Sequence, residues 1–265
     1  MARVVSALVL LPIVVGAVWF LPPIGTLVLA LIAAALAFAE YVALASALGV
    51  AVPHAVPGAA VLGACAALGS GWTIVDVILM TALITIAATA VGTARLGPEV
   101  LRDCAAAIFP AIYIGLPLGA LAAVRATAGR EAVLLIMAVI VISDSAQYYT
   151  GRAFGKRPLA PAISPGKTWE GVIGALAAVM VYGIVIGAIA PGYPGQLLAG
   201  LLWAAVLTGV SIEGDLFESW MKRLAGLKDS GALLPGHGGL LDRVDALCST
   251  VPLAALYFAY PVLRG

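Results

Sequence analysis

The sequence predicts an all-α, polytopic helical membrane protein with about nine transmembrane helices. Three observations carry that expectation. Of the 265 residues, 63% are hydrophobic and only 10% are charged, and the mean hydropathy is +1.12. A soluble domain carries about 25% charged residues. Lipid leaves the backbone no water to bond, so only helices and closed barrels span it, and the alternating pattern of barrel strands is absent. The whole chain, 1–265, reads as one integral membrane domain. Residues 1–130 are mainly scaffold spans, and 131–265 hold the site-bearing spans and their loops.

Apolar windows place helices near 4–20, 24–50, 55–72, 75–94, 105–124, 131–150, 171–190, 197–221 and 244–263. The first follows Arg3 and has no small-residue cleavage site before Pro22 and Pro23, so it reads as an uncleaved span. Proline, glycine and charge mark the breaks: Pro53, Gly69 to Trp72, Arg95 to Asp103, Ala126 to Arg130, Gly151 to Glu170, Pro191 to Gln196 and the 222–243 loop. Nine crossings put eleven of the fourteen Lys and Arg residues on one side, leaving Arg125, Arg130 and Arg264 on the other. The positive-inside rule makes the charged side cytoplasmic. A net charge of +1 argues against a nucleic-acid surface. Cys65, Cys104 and Cys248 have no motif spacing, and two of them lie in apolar runs as small hydrophobes.

The first half is chemically quiet. Glu40 is its one mid-span acid, open to a buried partner, a lipid headgroup or a catalytic use. Asp76 stands at a helix start, where an acid suits the dipole. Glu99 and Asp103 share a loop with Arg95 and Arg102, a self-neutralising surface.

The second half concentrates the ionisable groups. Five of the thirteen acids fall between Asp215 and Asp245. On a helix, Asp215, Glu218, Ser219 and Lys222 share one face. Taken alone, that stripe could be an ion-paired interface joining Glu218 to Lys222. In the loop that follows, Gly231, Pro235, Gly236, Gly238 and Gly239 allow backbone N–H groups to close around an anion, with Lys222, Arg223 and Lys228 beside it. Asp242 and Asp245 then open the last span one turn apart. Hard oxygen ligands beside a basic, glycine-rich loop suit a magnesium-bound polyphosphate. Asp242 could equally cap the helix, Arg243 could be a positive-inside anchor, and His237 reads as a loop hydrogen-bonder. Upstream, Asp144, Ser145, Gln147 and Tyr148 close span six. Arg152, Lys156, Arg157 and Lys167 follow, and residues 164–168 read as a turn into span seven. Gly166-Lys167-Thr168 is not a P-loop, since the earlier glycine and strand are missing.

Together these segments resemble the CDP-diacylglycerol synthase (phosphatidate cytidylyltransferase) family. Its signature is met by Ser219, Lys222-Arg223, Lys228-Asp229, His237-Gly238-Gly239, Asp242-Arg243 and Asp245, across about 27 residues. The upstream match comprises Asp144, Tyr148, Gly151-Arg152, Phe154-Gly155-Lys156, Ser164-Pro165, Lys167-Thr168 and Glu170-Gly171. Gln147 and Gly166 depart from the usual alanine and lysine. The resemblance implies transfer of a cytidylyl group from CTP to phosphatidate at the cytoplasmic face of a bacterial inner membrane, with Mg²⁺ as cofactor and a homodimer as the assembly. Whether a monovalent cation accompanies the magnesium is left open. It assigns catalytic roles to Asp144, Asp215, Lys222, Arg223, Asp242 and Asp245. The metal falls to Asp144, Asp215, Asp242 and Asp245, with Glu218 in reserve. Substrate contacts fall to Lys167, Ser219, Lys228, His237, Gly238, Gly239 and Arg243.

Two rivals remain in view. A CTP-dependent polyprenol kinase would need the same basic loop but would release CDP. A cation-coupled transporter would place Asp144 and Asp215 at the midplane, among broken helices and inverted repeats that are not visible. The cytidylyltransferase expectation instead requires segments 140–170 and 211–245 to form one site, its carboxylates within about 10 Å of each other.

Overall fold

A computed structural model describes residues 12–94, 96–189, 197–231 and 238–259. The chain is a helical membrane protein. Its helices are α1 (residues 12–20), α2 (Pro23–Ala47), α3 (Ala55–Gly69), α4 (Val75–Gly92), α5 (Pro98–Pro110), α6 (Leu116–Thr127), α7 (Gly129–Phe154), α8 (Trp169–Ile189), α9 (Leu197–Leu224) and α10 (Leu241–Ala259). A π-helical segment, Ala111–Gly115, joins α5 to α6 without a break. Among the described residues, six helical stretches are long and apolar enough to cross a membrane: α2, α4, the 30-residue α5–α6, α7, Trp169–Ala188 of α8, and α9. The 15-residue α3 is apolar but shorter.

One hairpin qualifies the all-α expectation. Strands β1 (Pro158–Ala160) and β2 (Ser164–Thr168) pair antiparallel, Pro158 opposite Thr168 and Ala160 opposite Ser164. Residues 164–168 are therefore strand, and the turn is at 161–163, closed by Ile163 N–H donating to the Ala160 carbonyl at 3.1 Å. Pro165 and Gly166 looked like turn residues, but Pro161 already starts the reversal. Glu99 and Asp103 also lie in a helix rather than a loop. Pro98 at the first helical position and Glu99 in the first turn start α5 ahead of its apolar window. Asp103 pairs there with Arg102 at 3.3 Å. His237, Pro235 and Gly236 lie outside the described residues.

The chain divides into two compact units, the first Met1–Arg130 with Met221–Val244, the second Glu131–Trp220 with Asp245–Gly265. In the first, glycine lets helix backbones touch, as lipid-embedded packing favours. A methyl group on Gly115 would lie 2.6 Å from the Val61 carbonyl oxygen, and one on Gly119 2.7 Å from that of Cys65. Leu44, Val61, Cys65 and Ile114 are buried around this crossing. Tyr41 Oη donates to the Ala106 carbonyl at 2.9 Å, tying α2 to α5. Arg125 donates to the Val18 and Leu21 carbonyls, at 3.3 and 3.0 Å. Arg130 lies 4.3 Å from the Trp19 ring centroid, a cation–π contact.

In the second unit, glycines again set the approach of successive helices. A Cβ on Gly171 would lie 2.8 Å from the Gln147 carbonyl oxygen, fitting α8 against α7. One on Gly183 would meet Leu201 at 2.8 Å, fitting α9 to α8, and one on Gly214 would run into Ser249, fitting α10 to α9. An apolar cavity of about 130 Å³ opens among α7 to α10, between Val139, Tyr182, Leu201, Trp203 and Tyr257, with no charged side chain in its lining.

Candidate active site

The charged residues singled out in the sequence collect into two clusters, one in each unit. In the second unit the basic loop is built from its ends inward. Thr168 caps α8, its hydroxyl accepting from Gly171 N–H at 3.2 Å, the usual bond from an N-cap side chain to the third helical residue. Two residues on, Glu170 Oε2 accepts from the backbone N–H groups of Lys156 and Arg157, at 3.0 and 3.2 Å. Trp169 N–H donates to the Arg157 carbonyl at 3.0 Å, closing the base of the hairpin. Gly151 and Gly155 make room for this corner, since a Cβ on either would press on Thr168 Oγ1, at 3.1 and 2.8 Å.

From β2, Lys167 Nζ reaches Asp215 of α9 at 2.5 Å, and Ser219 Oγ lies 3.4 Å from the same carboxylate. Asp215 remains 33% exposed while its lysine is 12% exposed. Asp245 is buried, and its carbonyl would lie 3.2 Å from a Cβ on Gly214, the neighbour of Asp215. The fold thus brings Lys167, Asp215 and Ser219 into contact and sets the Asp245 backbone against α9 beside them. Asp144 is exposed on α7, one residue after buried Ser143 and three before buried Gln147.

The first unit holds the glycine-rich loop. Lys222 Nζ donates to Asp242 Oδ1 at 2.5 Å, with the two side chains 12% and 6% exposed. Asp242 also accepts from Ser230 N–H at 3.0 Å and from Gly239 N–H at 2.8 Å. It sits in the first turn of α10, where a negative charge meets the positive end of the helix dipole. Gly238 has φ +80°, a conformation costly for any residue with a Cβ. A Cβ there would also lie 2.6 Å from Asp242 Oδ2. Arg223, Lys228 and Arg243 are exposed around this loop.

Sequence reasoning missed how this loop is fastened. Glu40, from the middle of α2, is buried and accepts from Leu240 N–H and Leu241 N–H, both at 2.8 Å, and from Ser230 Oγ at 3.1 Å. The open question over Glu40 is answered by a buried partner, the loop itself. A lone acid in an apolar helix was the available signal, but its partners lie 190 to 201 residues away.

Among the described residues, no three His, Cys, Asp or Glu side chains come together as a ready-made metal centre. Mg²⁺, however, is ordinarily held by one or two carboxylates, with water and substrate phosphate completing the shell. The oxygen donors of Asp215 and Asp245 fit that requirement. Asp242 fits it less well, since it accepts from Lys222, Ser230 and Gly239 with its side chain only 6% exposed, whereas Asp215 is 33% exposed.

The model of the cytidylyltransferase family matches residues 1–261. A phosphatidate cytidylyltransferase of Pseudomonas aeruginosa is 50% identical over 129 residues, 47% of this chain and 48% of that protein. One of Haemophilus influenzae is 41% identical over 139 residues, 50% and 47% of the two chains. One of Helicobacter pylori is 38% identical over 141 residues, 53% and 52%. The chain spans about half the length of the curated relatives it matches. With a family model matched from residue 1 to residue 261, this chain belongs to the cytidylyltransferase family.

Proposed function

We propose that the protein transfers a cytidylyl group from CTP to phosphatidate, giving CDP-diacylglycerol and pyrophosphate. A phosphate oxygen of the lipid attacks the α-phosphorus of CTP. The bond to the bridging oxygen breaks, and that oxygen leaves with its electron pair on pyrophosphate. No protein nucleophile is needed. The protein must bring two polyanions together, so its part is positioning and charge neutralisation. The observation that carries the reading is the pair of lysine–aspartate contacts, Lys167–Asp215 and Lys222–Asp242, whose two lysines both belong to the matched motifs. The names of the relatives support the same substrates.

Asp215 and Asp245, with Asp144, are the carboxylates proposed to hold Mg²⁺, which would neutralise phosphate charge and orient the triphosphate. Lys167 holds Asp215 until phosphate competes for its ammonium. Lys222, Arg223, Lys228 and Arg243 supply cations to the nucleotide phosphates, and Gly238 and Gly239 permit close backbone approach. Ser219 orients Asp215, and His237 serves as a loop hydrogen-bonder. Asp242, committed to three donors, contributes by fixing Lys222 and the loop.

The reading includes one integral membrane domain with nine crossings, in a bacterial inner membrane, its charged loops in the cytoplasm, working as a homodimer. Purified protein with labelled CTP and phosphatidate, with and without Mg²⁺, tests the reaction. Pyrophosphate and a CMP-bearing lipid are expected, whereas CDP and a phosphorylated lipid would indicate a kinase. Cysteines introduced at Pro158 and Gly236 should resist impermeant thiol reagents outside intact cells, and one at Gly265 should react. The reverse pattern would overturn the orientation.

A further inference from the structure

We infer that Glu40 is a positioning residue for nucleotide binding, tying Ser230 to the start of α10 through a carboxylate carried by a helix outside the signature. The inference rests on the proposed reaction for its kinetic readout, but the clamp stands on geometry alone. One oxygen, Oε1, accepts from Leu240 N–H, and the other, Oε2, accepts from Leu241 N–H and Ser230 Oγ. Ser230 precedes the loop, and Leu240 and Leu241 follow it, so a single side chain spans its neck. The glycines at the neck are shaped to it. A Cβ on Gly231 would meet the Glu40 carboxylate at 2.8 Å and its Cγ at 3.1 Å, with no nearer neighbour than Glu40. A Cβ on Gly239 would collide with Oε2 and with Ser230 Oγ.

The same neck is held from the other side by Asp242, which accepts from Ser230 N–H and Gly239 N–H and binds Lys222. Glu40 and Asp242 therefore share Ser230 and the start of α10 as a common frame. That frame orients Lys222 and Arg243, the cations assigned to phosphate. Glu40 itself is buried in α2 and makes its bonds to protein, so its influence on substrate passes through Ser230, the start of α10 and the cations beside them.

Its two accepting oxygens and its length both matter. Glutamine preserves the shape but replaces one accepting oxygen with a donor. Whichever way the amide turns, an N–H₂ then faces a backbone N–H or the serine hydroxyl in a buried place. Aspartate keeps both acceptors but falls a methylene short. Losing hydrogen bonds to a buried charged group at the loop neck should raise KM for CTP by about 10-fold or more in Glu40→Gln. KM for phosphatidate should stay within about 2-fold of the unaltered protein, since no lipid contact is assigned to the loop.

The test combines kinetics with a readout that needs no activity. Amide hydrogen exchange of the full chain in detergent should show faster exchange at Leu240 and Leu241 in Glu40→Gln, with α3 and α6 protected as before. Glu40→Asp should fall between the two, and it serves if the glutamine variant does not fold. Gly231→Ala should itself impair CTP binding, and less so in a Glu40→Ala background, where its obstacle is gone, giving non-additive effects in the double-mutant cycle. Unchanged exchange at Leu240 and Leu241, equal rises in both KM values, or strict additivity with Gly231→Ala would overturn the clamp. If the unaltered protein transfers no cytidylyl group while the exchange changes appear, the proposed reaction fails and the clamp survives.

Discussion

The two lysine–aspartate pairs have the same length and different surroundings. Lys222–Asp242 is enclosed, with side chains 12% and 6% exposed, and its carboxylate is also engaged by two backbone N–H groups. Lys167–Asp215 leaves its aspartate 33% exposed, and among the described residues Ser219 is its one further hydrogen-bonding neighbour, at 3.4 Å. A fully committed carboxylate holds structure, whereas one with an open side can exchange its lysine for an incoming cation or phosphate. The loops follow the same division. Glu170, partly exposed, secures the backbone of Lys156 and Arg157 from 14 and 13 residues away. Glu40, buried, secures Ser230 and the start of α10 from 190 to 201 residues away.

The largest expected effect tests the open pair. Asp215→Asn and Asp245→Asn should each lower turnover by about 100-fold or more, because each removes a charge from the proposed metal site. Steady-state assays across a Mg²⁺ titration check this. Near-normal activity of Asp245→Asn at saturating Mg²⁺ would remove it from the metal set.

The next effect separates the pairs by stability. Lys222→Ala strands a buried carboxylate and should cost about 3–5 kcal/mol, against about 0–1 kcal/mol for Lys167→Ala, whose aspartate is a third exposed. Thermal melts in a single detergent read the difference, and equal losses would dissolve the distinction between a holding pair and an exchanging one.

Glu170→Gln should be milder. It weakens two bonds from backbone N–H groups that can turn to water, so turnover should fall only about 2- to 5-fold. A loss as large as that of Asp215→Asn would make Glu170 more than a fastener. Glu99→Gln, in the first turn of α5, should leave turnover within about 2-fold and gives the baseline.

The sequence by itself determined the membrane class, the helical order and the chemical types at the site. Apolar runs and their charged breaks follow from the cost of polar groups in lipid, a rule that acts on each residue separately. The Thr168 cap was within reach too, because it acts over three residues. Tertiary structure alone decided the rest. Lys222 reaches Asp242, 20 residues on, a contact that nothing local in the sequence announces. The hairpin at 158–168 depends on strand pairing, which the proline and glycine punctuation concealed. Glu40 was visible as a lone charge in α2, but its role was not. A carboxylate's function depends on which donors surround it, and those came from Ser230, Leu240 and Leu241 only once the chain had folded back on α2.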